Sequence, residues 1–353
     1  MSHRHLVTGP RHTLIHLTPA ITLLLGVVLV LVMLVSIGVG AVAIPLETVW
    51  GVIANRIVPG SVAADWSAGR ESIVWEVRAP RIALGAMVGA SLALVGAALQ
   101  SVTRNPLADP HLLGVSSGAA FGAIFVLLHT GLFLGVVTVP LFAFAGALGA
   151  TALVVLIANL TAATSASRLI LAGVAVSFII TAGGNLFIFM GDPRAAHTVV
   201  FWMLGGLGLA QWNQLVFPLA ALVVCGSYII ANARSYNAMT LGDESATTLG
   251  IPARRFRLVT FIVCALLTGS AVAFSGVIAF VGLMIPHIVR MIVGGDYRRV
   301  LPLSALLGAL FLVVTDMLAR TVMAPQDMPI GILTGLIGGA FFIILMRHNR
   351  AVG

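Results

Sequence analysis

The residues of this chain that are able to do chemistry are few, and many of them lie in one polar stretch. Residues 233–257 read ARSYNAMTLGDESATTLGIPARRFR, whereas the whole chain is 59% hydrophobic and only 8% charged. Asp243 and Glu244 follow Gly242, and a Gly-Ile-Pro sequence ends the run. This order predicts one short helix with an acidic first turn. Such a helix is suited to binding a water-soluble partner protein. The alternative is that this stretch is only a solvated connector between two membrane spans.

Other kinds of chemistry lack the side chains that they need. All 19 basic residues are Arg, and the absence of Lys excludes both a Walker A phosphate loop and Schiff-base catalysis in this chain. Cys225 and Cys264 lie in apolar runs, where a thiol behaves as a small hydrophobe. The histidines show no metal-site spacing such as HExxH, so we expect structural roles and no metal site. They include His111, His129, His197 and His287.

The elements that must position these residues are membrane spans. The mean hydropathy is +1.10, and apolar runs of bilayer-spanning length recur along all 353 residues. We therefore predict an all-α, polytopic membrane protein with about ten spans. The predicted spans are Ile21–Ile44, Ile82–Gln100, Leu112–Leu128, Val136–Leu160, Leu169–Met190, Leu215–Ala231, Leu258–Ala273, Val277–Val293, Leu301–Leu318 and Ile330–Met346.

An even number of spans places both termini on one side of the membrane. Threading the chain from a cytosolic amino terminus puts thirteen arginines in the cytosol and six outside, in agreement with the positive-inside rule. Residues 1–20 then form a cytosolic tail, residues 45–81 an extracytoplasmic segment, and residues 233–257 a cytosolic loop of a single transmembrane domain, residues 1–353. Because the positive charge is scattered between spans, a nucleic-acid partner is not expected.

A weak internal repeat relates two parts of the chain. Arg81 precedes a span that leads to a turn at Pro106, and Arg257 precedes a span that leads to Pro286. Five spans separate the two units, so they would point in opposite directions. Inverted repeats of this kind are common in transport proteins and bring interrupted helices to the pathway.

Four motifs in order carry a resemblance to a known family. They are RAPR at Arg78–Arg81, RNPLADPHLLGVSSGA at Arg104–Ala119, GVIAFVGLMIPHIVR at Gly276–Arg290 and MPIGILTG at Met328–Gly335. In these motifs the chain resembles the FecCD family of ABC-importer permeases, to which the cobalamin permease BtuC belongs. The resemblance extends from about Ile21 to Met346.

The resemblance implies a BtuC-like permease of a type II importer in the bacterial inner membrane. Two copies would pair, two ATPase subunits carrying ATP and Mg would bind in the cytosol, and a substrate-binding protein would dock outside. The chain itself would be no enzyme and would bind no cofactor; its other contact would be membrane lipid. The cargo would be a bulky iron chelate, haem or a ferric siderophore, with cobalamin as the alternative. From another class, an ion-coupled carrier remains open, although Asp316 is the only carboxylate within a predicted span.

The resemblance also implies roles for particular residues. Coupling to the ATPase falls on Gly242, Asp243, Glu244, Ser245, Leu249 and Gly250. Docking of the binding protein falls on Arg78, Arg81 and Arg320, for which lipid-headgroup anchoring, or an intrahelical pair of Arg320 with Asp316, is the alternative. The cytosolic gate falls on Asn105, Leu107, Ala166 and Ser167; Ala166 stands where the family relative has Thr, which implies a wider or drier constriction. The pathway lining falls on Gly173, Ser177, Thr181, Gly184 and Asn185, small residues that serve equally well in helix packing.

Overall fold

The computed structural model describes residues 18–110, 114–160 and 166–350, and the regular elements in these ranges are all helical. The helices are α1 (Thr18–Gly38), α2 (Leu46–Ile57), α3 (Ala68–Ser72), α4 (Ala79–Thr103), α5 (Val115–Phe125), α6 (Thr138–Leu160), α7 (Ala166–Met190), α8 (Pro193–Met203), α9 (Val216–Ala231), α10 (Ala233–Thr240), α11 (Asp243–Thr248), α12 (Ala253–Ser275), α13 (Val281–Val293), α14 (Tyr297–Ala319) and α15 (Ile330–Arg350). One π-helical turn, Ile73–Arg78, joins α3 to α4, and another, Val126–Thr130, follows α5.

The prediction of an all-α polytopic membrane protein is confirmed. Within the described ranges, eight helices are long and apolar enough to cross a membrane, and two shorter apolar helices, Val115–Thr130 and Val281–Val293, complete the predicted set. These ten elements follow the ten predicted runs in order. Residues 45–81, predicted as an interfacial segment, contain the amphipathic helix α2 and the short helix α3.

Helix α4 lies at the centre of the molecule. It packs against α14, α12, α13 and α9, and nearly all of its residues are buried. Glycines make this close packing possible: a Cβ atom on Gly96 would lie 1.8 Å from the carbonyl oxygen of Gly282, and one on Gly89 would lie 2.2 Å from that of Gly308. Small residues at helix contacts are what membrane packing requires, because the helices gain stability from close van der Waals contact.

The chain leaves the helical path after each of the two spans of the predicted repeat. Helix α4 ends at Arg104, whose φ is 52°, and α12 is followed by an irregular segment in which Phe280 has a φ of 70°. These are the non-glycine residues with positive φ in the described part of the chain. A left-handed conformation stops an α-helix. Each break precedes a short apolar helix, α5 or α13, as the repeat predicts.

Candidate functional site: coupling helix, gate turn, pathway cavity and outer arginines

The polar stretch forms two short helices, α10 and α11, and α11 is the predicted helix with an acidic first turn. Gly242 precedes it with a φ of 111°, a conformation that suits glycine and starts the new helix direction. Glu244, Ser245 and Gly250 are exposed, and Leu249 is 63% exposed. An apolar side chain displayed beside polar ones suits a protein contact. The coupling role itself stays a prediction.

Asp243 differs from the other coupling residues because its carboxylate binds within the chain. Its Oδ1 accepts a hydrogen bond from Nη2 of Arg257 at 2.5 Å and lies 3.9 Å from Nη2 of Arg104. The hydrogen bond from Arg257, aided by the nearby positive charges, lowers the pKa of the Asp243 carboxyl below its ordinary value. Asp243 therefore stays ionised at neutral pH and ties the start of α11 to two arginines.

Helix α10 is fastened to its neighbours by hydrogen bonds of its own. Ser101 Oγ donates to the carbonyl oxygen of Tyr236 at 2.7 Å, which joins α10 to the last turns of α4. Asn237 donates to Asp296 Oδ1 at 2.7 Å and accepts from the backbone N–H of Tyr297 at 2.8 Å. The side chain of Arg298 lowers the pKa of Asp296 to about 2. Helix α10, which with α11 forms the predicted coupling segment at residues 233–257, is thus joined to α4 and to the start of α14.

The predicted gate residues occupy two places. Asn105 and Leu107 lie in the turn that follows α4, where Asn105 Oδ1 accepts a hydrogen bond from the backbone N–H of Leu107 at 2.9 Å. This Asx-type bond fixes the turn, and the Leu107 side chain is 56% exposed. Ala166 and Ser167 form the start of α7. Their side chains lie outside the described part of the structure, as do residues 161–165.

Two cavities bear on the pathway prediction: one of about 530 Å³, which none of the five predicted lining residues borders, and a smaller one of about 280 Å³, which most of them border. The larger cavity lies between α6 and the start of α12; the smaller one lies between α5 and α7. Four of the five predicted lining residues border the smaller cavity: Ser177, Thr181, Gly184 and Asn185. Gly173 is not among its lining residues and is buried. We take the smaller cavity as the candidate pathway because α5 adds further hydroxyl groups to it.

Two of these hydroxyl groups were missed as lining residues by sequence reasoning. Ser116 and Ser117, which belong to the second motif, border the same cavity. Within the described part of the chain, the Oγ atoms of Ser116 and Ser177 are buried and have no hydrogen-bond partner. Buried hydroxyls without a partner are costly to leave unpaired. Both serines line the cavity, Ser116 from α5 and Ser177 from α7.

The three outer arginines are buried and bind within the chain. Arg78 donates to the carbonyl oxygens of Ile37 at 2.8 Å, Gly38 at 3.1 Å and Val42 at 2.6 Å, which follow or end α1. Arg320 donates to Ser36 and Val39. Cationic side chains stabilise the carboxyl end of a helix, whose last carbonyls have no partner within it.

Asp316 completes this outer cluster. Its carboxylate, which is fully buried, accepts from Arg81 Nε at 2.9 Å and from Arg320 Nε at 3.0 Å, and Arg81 also pairs with Asp327. The intrahelical pair of Arg320 with Asp316, held as an alternative, is therefore present. The docking role of Arg78, Arg81 and Arg320 stays a prediction, with the added fact that each guanidinium group already has partners in this chain.

The histidines pack against aromatic rings. The ring of His129 lies 4.9 Å from that of Phe187, and the ring of His197 lies 4.8 Å from that of Phe201. The ring of His287 lies 6.1 Å from that of Phe341, and His111 lies outside the described residues. Among residues 18–110, 114–160 and 166–350, no three His, Cys, Asp or Glu side chains come together to hold a metal ion.

A contact between two residues that are far apart in the sequence joins the two units of the predicted repeat. Arg290 Nη2 donates to Gln100 Oε1 at 2.6 Å, and Gln100 Nε2 donates to the carbonyl oxygen of Gly282 at 3.1 Å. Arg290 ends the third motif and Gln100 ends the second predicted span, but no signal in the sequence pairs positions 190 residues apart. The pairing of Arg257 with Asp243 was missed for a similar reason, since Arg257 was assigned only to the start of a span.

With this geometry in place, comparison with known proteins decides the family. A model of the FecCD transport family matches residues 28–348. The chain belongs to the FecCD transport family. The resemblance found in the four motifs, to FecCD-family permeases of type II ABC importers, is thereby confirmed.

The similar proteins are permeases from varied organisms. The uncharacterised ABC transporter permease protein YvrB of Bacillus subtilis is 41% identical over 90% of this chain and 90% of its own. The hemin transport system permease protein HmuU of Yersinia pestis is 36% identical over 93% and 96%. The cobalamin import system permease protein BtuC of Halobacterium salinarum is 42% identical over 79% and 74%. A solved structure assigned to a metal-chelate type ABC transporter in an inward-facing conformation has a TM-score of 0.80 and 31% identity, covering 94% of this chain and 99% of that one.

Proposed function

We propose that this chain is the membrane-spanning subunit of an ATP-driven importer for a bulky iron chelate, haem or a ferric siderophore. Two copies would enclose the pathway in the bacterial inner membrane, with both termini in the cytosol. Two ATPase subunits would bind α11, and an extracytoplasmic protein would deliver the cargo near Arg78, Arg81 and Arg320. The similarity to the hemin permease and to the iron(3+)-hydroxamate permease FhuB of Bacillus subtilis, 39% identical, supports this cargo class.

The observation that carries the proposal is the chemistry of the cavity between α5 and α7. Its polar lining consists of the hydroxyl groups of Ser116, Ser117, Ser177 and Thr181 and the amide of Asn185, and none of its twelve lining residues carries a carboxylate, a thiol or an imidazole. Proteins hold metal ions with those missing groups. A bare ion would find no ligand set here, whereas an intact chelate needs only a wall that binds weakly.

The energy source is the second part of the proposal. An ion-coupled carrier needs an ionisable group in the membrane that binds the driving ion. Asp316 is the only carboxylate in a predicted span, and its two oxygens are engaged by Arg81 and Arg320. That engagement favours an external ATPase, for which the exposed Glu244 and Leu249 of the coupling segment offer a contact surface.

Pairing of two copies has support in the exposed face of α7. Its side chains at Phe178 and Phe189 are 74% and 86% exposed, and the adjoining face of the helix borders the cavity between α5 and α7. A second copy facing α7 would close the pathway between two identical walls. Cross-linking of Phe178→Cys in membranes tests this arrangement, because the native Cys225 and Cys264 are buried.

Uptake by proteoliposomes tests the proposed function. The chain would be reconstituted with the ATPase subunit that co-purifies with it and with the cognate binding protein, and offered haem, ferric hydroxamate, ferric citrate or cobalamin. We expect ATP-dependent uptake of one iron chelate that persists when ionophores remove the ion gradients. Uptake driven by an ion gradient without ATP would indicate a secondary carrier instead. Preferential uptake of cobalamin would favour the alternative cargo, which the similarity to two cobalamin permeases keeps in view.

A further inference from the structure

We propose that Asp243 is the positioning residue that transmits movement of α11 to the gate turn, residues 104–109, by way of Arg257 and Arg104. The inference rests on the proposed function, because it takes an ATPase as the source of the movement. It assigns different tasks to two adjacent acidic residues. Asp243 is half-buried and faces the chain's own arginines, whereas Glu244 is exposed to a partner.

The first arm of the link runs through Arg257. Its side chain is only 2% exposed, and its Nε donates to the carbonyl oxygen of Val102 at 3.0 Å while its Nη2 binds Asp243. Val102 lies in the last turn of α4, where carbonyl groups have no partner within the helix. A single buried guanidinium group therefore joins the carboxylate of α11 to the end of α4.

The second arm runs through Arg104, the residue that ends α4 and begins the gate turn. Its guanidinium group lies 3.9 Å from Asp243 Oδ1, and its Nη1 lies 3.4 Å from the place where a Cβ atom on Gly242 would be. The left-handed backbone of Arg104 fixes the direction in which the turn leaves the helix. Asn105 and Leu107 follow at once, joined by the Asx-type hydrogen bond.

Electrostatics explains why the parts should move together. If α11 moved away alone, the buried guanidinium group of Arg257 would lose its ion pair with Asp243, and breaking the ion pair of a buried charge is unfavourable. The lower-energy course is for Arg257 and the last turn of α4 to follow Asp243. Glu244 has no such constraint, because its exposed carboxylate is free to exchange solvent for a partner.

A single cysteine at the gate allows the transmission to be measured directly. Leu107→Cys introduces an exposed thiol, while Cys225 and Cys264 are buried, so a membrane-impermeant maleimide reports on position 107. In nanodiscs with the ATPase bound, the labelling rate would be compared with and without ATP, together with uptake per ATP hydrolysed in proteoliposomes. The variants are Asp243→Asn, its matched control Glu244→Gln, Arg104→Gln, and the double variant Asp243→Asn/Arg104→Gln.

We expect Asp243→Asn to keep ATPase binding and hydrolysis but to reduce the ATP-dependent change in labelling, and uptake per ATP, at least about fivefold. Glu244→Gln, which alters the proposed ATPase contact, should weaken ATPase binding but keep both ratios in the complexes that form. Arg104→Gln should act in the same direction as Asp243→Asn, and the double variant should be no worse than Asp243→Asn alone, because members of one link are not additive. Asp243→Glu should restore part of the response.

Two results would overturn the inference. One is an ATP-dependent labelling change in Asp243→Asn equal to that in Glu244→Gln. The other is a loss of ATPase binding in Asp243→Asn combined with a normal labelling response in Arg104→Gln, which alters a half-exposed side chain. A wild-type complex without ATP-dependent uptake would instead count against the proposed function.

Discussion

Arg290 binds Gln100 across 190 residues of sequence, and the amide of Gln100 binds the backbone of Gly282 in turn. One amide side chain thus satisfies both a guanidinium group and a carbonyl group at the junction of α4 and α13. Nη1 of Arg290 is buried and has no hydrogen-bond partner in the described ranges. Gln100 Oε1 is the acceptor for the other terminal nitrogen, Nη2.

Removing the acceptor should destabilise the fold. We expect Gln100→Leu to lower the free energy of unfolding by about 1–3 kcal/mol, because the half-buried guanidinium group of Arg290 loses its bond to Gln100 Oε1 and the carbonyl oxygen of Gly282 loses its donor. Thermal unfolding of the purified chain in detergent measures the loss. Gln100→Glu is the matched control, since it keeps an acceptor for Arg290; equal losses in both variants would assign the effect to the Gly282 contact.

Close glycine contacts should tolerate no side chain at Gly96. A Cβ atom there would lie 1.8 Å from the carbonyl oxygen of Gly282, which is a severe overlap. We therefore expect Gly96→Ala to lower the free energy of unfolding by at least the cost typical of overpacking, about 1–3 kcal/mol. Gly149→Ala, where nothing lies within 4 Å of the new atom, should be harmless. Monodispersity on size-exclusion chromatography and the melting temperature check the pair. Similar behaviour of the two variants would contradict the packing of α4 against α13.

Arg78 should matter for stability because it binds carbonyl groups at the end of α1. Arg78→Gln removes donors from Ile37, Gly38 and Val42, and a lower melting temperature is the expected result. Arg70→Gln, at an exposed position of α3, serves as the control. Binding-protein affinity would be measured on the same samples at low and high salt. Unchanged melting with lost, salt-sensitive affinity would favour docking as the chief role of Arg78.

The contribution of Asp243 should depend on pH in a defined direction. Its pKa is lowered in the folded chain, so its stabilising contribution is complete above the ordinary aspartate value of about 3.9 and is lost as the pH falls through the lowered value. The difference in melting temperature between wild type and Asp243→Asn should be constant from about pH 8 to 5 and should shrink in stronger acid. A difference that already changed between pH 8 and 6 would contradict the assignment.

Transport should not depend on an imidazole. His287 packs against Phe341 and lies outside the cavity lining, so we expect His287→Ala to keep normal uptake of the intact chelate. The same substitution at His111 tests the remaining histidine of the family motifs. Loss of uptake in either variant, with ATPase assembly and hydrolysis preserved, would indicate that a histidine hands the metal along and that the channel is not inert.

Local patterns were sufficient to predict the spans and the short helix α11, because length, hydropathy and helix signals are properties of adjacent residues. They did not predict α2 or α8, whose amphipathic sequences are too short to stand out, nor the second hydroxyl-bearing wall at Ser116 and Ser117. The partners of Arg257 and Arg290 were also beyond reach, since both depend on which helices pack together. For Arg78, Arg81 and Arg320, the motif identified important positions but gave no indication that their charges are satisfied internally.

Helix α4 spans its 25 residues as a rod of about 37 Å. Near its outer end Arg81 is held by Asp316, and at its inner end Val102 is held by Arg257. Because α4 is rigid and is held at both ends, its two ends cannot move independently of each other. In the proposed importer, an outside ligand that prefers one position of α4 would alter the nucleotide affinity of the ATPase, and nucleotide would alter the affinity of that ligand by the same factor. Ligand binding on one side of the membrane would then be linked to nucleotide binding on the other side through a single helix.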